Sequence, residues 1–281
     1  MTGPILECVD LVTEFHPTRR LLQRRKPAIR AVDGVSLRVG RGEILGIVGE
    51  SGSGKSTLAK TILGLYQPSS GAVLIDGHKA DGRTLRQVRR ARRDIQYVHQ
   101  DPGAALDPWW SIGRTLHEGL IIQGNTDAAE RQRLIDRMLE AVGLTAAFAR
   151  RYPHELSGGQ QRRIGIARTL ILKPRIVILD EPTSGLDMSV QKTVLQLAHQ
   201  IRAEFDLTYL FISHDLSVVR HFCDRAAIMY RGRLVETGPV AEVFAAPRHD
   251  YTRTLLAAAP TLSSGRLKGG AAAAGPAAPL S

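Results

Sequence analysis

Three observations predict an α/β fold. The first is a glycine-rich loop set between an apolar strand and a helical pattern. Glu43-Ile44-Leu45-Gly46-Ile47-Val48 leads into Gly49-Glu50-Ser51-Gly52-Ser53-Gly54-Lys55-Ser56-Thr57, and Leu58, Ile62 and Leu65 follow at helical spacing. The second is a pair of aliphatic runs, 176–179 and 209–212, of the kind that forms strands covered on both faces. The third is a change of character from residue 101 to about 151, where helical patterns replace strand signals. Together they predict a parallel-sheet core with a phosphate-binding loop and a helical insert within it.

In chain order, residues 5–15 read as a first strand or hairpin arm, followed by a basic, Pro-bounded surface loop between Pro17 and Pro27. Residues 31–39 alternate apolar and polar positions, a second strand. Gly40-Arg41-Gly42 turns into the strand that carries the loop. Pro68-Ser69-Ser70-Gly71 is a turn before a strand at 72–76, and 94–99 is a strand that ends at Gln100. Asp127 is placed to cap a helix, with Glu130 three residues on as a capping box. Leu134, Met138 and Val142 continue that helix's apolar face, and Gly143 suits its end. Ser157 caps a helix carrying Ile164, Ala167 and Ile171. Residues 226–230 and 233–236 flank Arg231-Gly232 as a hairpin, and Pro239 opens a short helix through Phe244. From Ser263 the chain is Gly- and Ala-rich and reads as a disordered tail.

The bulk numbers narrow the classes. The 281 residues suffice for one large domain or two lobes, and 43% hydrophobic with 23% charged content is ordinary for a globular protein. No apolar run reaches the ~18–20 residues of a membrane-spanning helix, and the first ten residues lack a signal-peptide core, so a cytosolic location is expected. Two cysteines, Cys8 and Cys223, form no C-x-x-C pair and read as reduced, buried thiols. The net charge is +11, concentrated at 19–26, 83–93 and 150–163. Aromatics are only 5%, too few to interleave those runs as a stacking groove for single-stranded nucleic acid. A solvated basic face beside anionic lipid headgroups is the better reading, and no specific nucleic-acid partner is expected.

Each chemical segment has a physical role. The loop glycines let successive backbone N–H groups turn toward a phosphate chain, and the helix start adds partial positive charge. Lys55 can reach the β- and γ-phosphates, and the Ser56 hydroxyl can ligate Mg²⁺. By chance such a loop arises in roughly one per cent of chains this long. Leu156-Ser157-Gly158-Gly159-Gln160 frees N–H groups at a second helix start. Asp180 ends the buried run at 176–179, where a carboxylate can hold Mg²⁺ through water. Glu181 is next, placed to polarise a water for in-line attack on a γ-phosphate. His214 follows the run at 209–212, on the strand end where nucleotide ligands collect.

With these residues in the order loop, Gln100, Leu156-Ser157-Gly158-Gly159-Gln160, Asp180-Glu181, Ser184-Gly185-Leu186-Asp187 and His214, the chain resembles the ATP-binding subunit of an ABC transporter. The match covers nearly the whole chain. The resemblance implies an ABC-type ATP-binding domain over 1–262, an α/β P-loop ATPase core with an antiparallel β subdomain and a helical insert at about 101–170, and a tail at 263–281. ATP and Mg²⁺ are the implied cofactors. Gly49, Glu50, Ser51, Gly52, Ser53, Gly54, Lys55, Ser56 and Thr57 would hold the phosphates, and Ser56, Gln100 and Asp180 the metal. Glu181 and His214 would serve hydrolysis, and Phe15 would stack on adenine. Ser157, Gly158, Gly159 and Gln160 would close over nucleotide held by a second, head-to-tail ATPase subunit.

Within the family, Gln100-Asp101-Pro102, Leu106-Asp107-Pro108 and the stretch 247–256 resemble oligopeptide and dipeptide importer subunits, with Asp250 where the subfamily usually has Pro. That implies a peripheral protein at the cytoplasmic face of the membrane. Its partners would be the membrane subunits and, indirectly, a solute-binding protein. Trp109 and Trp110 are candidates either for docking on the membrane subunits or for the core of the insert. The alternative classes are an accessory ATPase of a non-transport complex, such as phosphonate-cleaving machinery, and a soluble ABC ATPase acting on nucleic acid.

Overall fold

The computed structural model describes residues 3–16, 28–80, 93–98, 103 and 105–258. Among them the chain runs β1 (Leu6–Phe15), β2 (Ile29–Val39), β3 (Ile44–Val48), α1 (Lys55–Ile62), β4 (Ser70–Ile75), β5 (His78–Lys79) and β6 (Ile95–Val98). Then come α2 (Ile112–Ile122), α3 (Ala128–Ala141), two 3₁₀ turns, α4 (Gly158–Leu170), β7 (Ile176–Asp180), α5 (Met188–Phe205) and β8 (Thr208–Ser213). The described chain closes with α6 (Leu216–Phe222), β9 (Arg225–Tyr230), β10 (Arg233–Pro239), α7 (Val240–Ala245) and α8 (Asp250–Ala258).

Two sheets form. One is antiparallel, in the order β2-β1-β4-β5, and the other is six-stranded, in the order β10-β9-β3-β8-β7-β6. In the larger sheet β9, β3, β8, β7 and β6 are parallel and β10 adds an antiparallel edge. Every residue of β3, β7 and β8 is buried, as their unbroken apolar runs require. Their side chains alternate between two cores. Ile44, Val48, Val177, Leu179, Tyr209 and Phe211 face the layer that holds α2, α3 and α4. Leu45, Ile47, Ile176, Ile178, Leu210 and Ile212 face α1 and the antiparallel sheet. α1 and α4 therefore pack on opposite faces of the sheet.

Gly46 lies mid-strand in β3, where glycine weakens a sheet unless something approaches closely. Here α6 does: a Cβ at this position would stand 2.9 Å from both Cys223 Sγ and Val219 Cγ1. Gly46→Ala is expected to destabilise the fold by roughly 1–3 kcal/mol through overpacking, read as a lower urea midpoint at unchanged slope. An unchanged midpoint would mean that α6 does not press on β3.

Two local expectations need correction. β4 starts at Ser70, inside the expected turn, because Ser70 pairs with Val12 beyond a bulge in β1 where Asp10 takes φ 44°. The Asp127–Glu130 capping box is half formed. Asp127 Oδ1 accepts from the Ala129 and Glu130 N–H groups, but its own N–H donates to Asn125 Oδ1. The hairpin turn is as expected, with Arg231 and Gly232 at φ 46° and 83°. The bends at 143 and 157 are also as read: Gly143 takes φ 71°, and Ser157 with Gln160 completes a capping box. Cys8 and Cys223 are buried thiols, and burial pushes Cys8 up to about 12. No helix among the described residues is long and apolar enough to cross a membrane.

Gln100, the loop 17–27, most of the basic run 83–93 and the tail 263–281 lie outside the described residues.

Candidate nucleotide site

The sheet brings three chain segments to one edge. Val48 pairs with Ser213 and Asp180 with Ile212, so β3, β8 and β7 end level with one another. Gly49, His214 and Glu181 leave the sheet from these ends. With β8 between them, β3 and β7 stand about 10 Å apart. That is the crevice at carboxyl strand ends where α/β proteins bind ligands.

The loop is tightly held. A side chain at Gly49 would meet Met229 O at 2.2 Å, and one at Gly54 would meet Ala31 O at 2.2 Å. Gly54, at φ 108°, is the N-cap of α1 and supplies no side-chain cap. The orphan N–H groups of the first helical turn therefore have no side-chain acceptor. Lys55 is buried, and its ammonium donates to Gly49 O at 2.7 Å and Glu50 O at 2.8 Å. With three donors, it keeps one for a ligand. Burial lowers the Lys55 pKa, while the charges of Glu181, Asp180 and Glu50 oppose that shift.

Asp180 is buried. Its Oδ2 accepts from the Tyr97 hydroxyl at 2.5 Å, and its Oδ1 is buried with no hydrogen-bond partner among the described residues. Tyr97 sits on β6 beside Ile178, so its hydroxyl reaches two residues further along β7. Burial, then the Asp180 contact, raises the Tyr97 pKa and keeps it a donor. Sequence reasoning missed Tyr97; the signal is its period-two alignment with Asp180 across neighbouring strands. An orphaned, buried carboxylate oxygen is a hard donor of the kind that holds a hydrated Mg²⁺.

Glu181 adopts φ 52°, a left-handed conformation that side chains rarely take. Its backbone is pinned on both sides: Glu181 N–H donates to Ile212 O and Ser184 N–H to Glu181 O. Both carboxylate oxygens lie near His214 Nδ1, at 2.7 and 2.9 Å. A carboxylate only accepts, so Nδ1 carries the proton. His214 can then donate from Nε2 to a phosphate only as the imidazolium.

The remaining candidates are placed as follows. Ser157, Gly158 and Gly159 are exposed at the start of α4, on the sheet face opposite α1. Among the described residues no hydrogen bond links them to the chain's own loop. Phe15, 38% exposed, pairs with Ile29 near Ala31, the residue that touches Gly54. Its ring lies at right angles to Tyr66, 5.1 Å away. Trp109 is 85% exposed, which removes the core alternative for it. The Arg114 guanidinium lies 4.0 Å from the centre of the Trp110 ring. Asp187 and Asp215 cap α5 and α6 through their carboxylates.

The profile of the family described as ABC transporter matches residues 32–184. The oligopeptide transport ATP-binding protein AppF of Bacillus subtilis is 45% identical over 257 residues, 91% of this chain and 78% of that one. The dipeptide transport ATP-binding protein DppF of Haemophilus influenzae is 43% identical over 92% of this chain and 79% of that one. Among solved structures, cbiO1 of Clostridium perfringens, part of the ABC transporter complex cbiONQ, is similar at a TM-score of 0.74 and 29% identity. It covers 87% of this chain and 92% of that one. The ATP-binding cassette MJ0796, solved as a dimer bound to ADP and Pi, is similar at a TM-score of 0.70 and 29% identity, over 84% and 98%.

Proposed function

The chain belongs to the ABC transporter family as an ATP-hydrolysing cassette, and from that premise we propose that it powers the import of peptides as one of two ATPase subunits at the cytoplasmic face of the membrane. The names of relatives at 43–45% identity support the solute class. The observation that carries the mechanism is the split between the two halves of the site. Loop, Asp180, Glu181 and His214 share one strand edge, while Ser157 and its glycines stand exposed on the other face of the sheet. A complete site then needs a second ATPase subunit, placed head to tail.

In this reading the loop residues Gly49 to Thr57 and the uncapped start of α1 cradle the phosphates, and Lys55 adds its remaining N–H to the β/γ-phosphates. Phe15 stacks on adenine. Ser56, Gln100 and Asp180 would hold Mg²⁺, Asp180 through water, and the ion would offset phosphate charge. Glu181 orients the attacking water and takes its proton. His214 keeps the Glu181 carboxylate in place and faces the γ-phosphate. Ser157, Gly158, Gly159 and Gln160 of the opposing subunit donate to the same γ-phosphate. ATP thus favours the closed pair and hydrolysis releases it. The exposed Trp109 contributes to docking on the membrane subunits, which alone meet the solute-binding protein.

The purified chain alone should sediment as a monomer and hydrolyse ATP slowly. Assembled with its membrane subunits and second ATPase, it should hydrolyse faster, and faster again with peptide-loaded binding protein. Fast, concentration-independent hydrolysis by a proven monomer would contradict the shared site.

A further inference from the structure

The end of the described chain grips the phosphate loop from behind. The Glu50 N–H donates to Tyr251 Oη at 3.2 Å, although 201 residues separate them. The Tyr251 ring stacks on Tyr230, with centroids 4.1 Å apart and 30° between planes. Tyr230 ends β9, and the following turn holds the loop a second time, with Gly232 N–H donating to Ser53 O at 2.8 Å. The start of α8 is fixed as well. The Glu236 carboxylate accepts from the Arg248 and His249 N–H groups at 2.8 and 3.1 Å, and His249 Nδ1 accepts from Tyr251 N–H at 3.1 Å. Thr252, the next residue, is fully buried.

The position of the Glu50 contact matters. The Glu50 N–H and the Gly49 carbonyl belong to one planar peptide unit and point in opposite directions. The Gly49 carbonyl receives the Lys55 ammonium at 2.7 Å. Tyr251 and Lys55 therefore hold opposite ends of the same rigid plane. Gly49 has no side chain to set the tilt of that plane, and the nearby Met229 carbonyl leaves no room for one. Two bonds in series through one peptide also polarise each other.

We propose that Tyr251 is a positioning residue for the phosphate loop: by fixing the Gly49–Glu50 peptide it sets where the Lys55 ammonium stands, and so makes α8 a determinant of nucleotide affinity. The inference rests on the phosphate-loop reading above. It concerns binding and leaves the chemical step to Glu181.

Tyr251→Phe is the test, because it removes the hydroxyl and keeps the ring on Tyr230. In the full-length protein, hydrogen exchange at the Glu50 amide should quicken. Affinity for a fluorescent ATP analogue should fall by about three- to tenfold, the scale of one net hydrogen bond. The single-turnover rate at saturating ATP should stay within about twofold of wild type, since the group acts on binding alone. Unchanged nucleotide affinity, or a fall in saturating rate without a fall in affinity, would overturn the proposal. Lys55→Ala is measured alongside. If it loses affinity while Tyr251→Phe does not, only the role of Tyr251 falls. If Lys55→Ala also binds like wild type, the phosphate-loop reading falls and takes the inference with it.

Discussion

Glu181→Gln is expected to slow single-turnover ATP hydrolysis by ~10²-fold or more, the usual scale for loss of a general base. The side chain keeps its shape, and its amide oxygen can still accept the proton on His214 Nδ1, which now lies 2.7 Å from the carboxylate. What disappears is the charge that accepts the water's proton. The strained backbone at φ 52° is untouched, since Gln meets the same sterics as Glu. ATP affinity should therefore stay within a few-fold of wild type. Hydrolysis at the wild-type rate would mean that Glu181 is not the base. A matching loss in affinity would mean that the substitution disturbed the loop rather than the chemistry.

Lys55→Ala has the second large effect, and it falls on binding. The ammonium holds two loop carbonyls, Gly49 O and Glu50 O, in a loop that leaves β3 at the same sheet edge as Asp180 and Glu181. Its removal takes away a charge-assisted bond to phosphate worth about 1.5–3 kcal/mol and leaves two carbonyls without their donor. Affinity for a fluorescent ATP analogue should fall by roughly ten- to a hundredfold or more. Unchanged affinity would remove the phosphate-loop assignment.

Much of this site can be read from local pattern. The loop, the Asp180-Glu181 pair and His214 each follow an apolar run short enough to be a strand and unbroken enough to be covered on both faces. Residues in such places reach the same sheet edge once the strands are parallel. Three features need the third dimension. Tyr97 acts on Asp180 across two neighbouring strands, a pairing that depends on register. Tyr251 reaches Glu50 from the far end of the described chain. The opposite placement of α1 and α4 follows from how side chains alternate across β3, β7 and β8, and their fully apolar sequences do not say which face is which. α5 and α6 were also hidden in sequence, although Asp187 and Asp215 are their N-caps. Asp187 reads as part of Ser184-Gly185-Leu186-Asp187 and Asp215 stands next to His214, and a capping carboxylate looks the same as one in a chemical motif.

In the proposed mechanism one chain holds only part of each hydrolytic site. The measurement that tests it most directly is the solution mass of Glu181→Gln, by size exclusion with light scattering, in the presence of its companion ATPase subunit. Without nucleotide the subunits should run separately. With ATP and Mg²⁺, a complex with the mass of two ATPase subunits should accumulate, because the step that reopens it is blocked, and wild type under the same conditions should not accumulate it. A single-subunit mass with ATP bound and unhydrolysed would contradict the shared site, even with the chemistry of Glu181 intact.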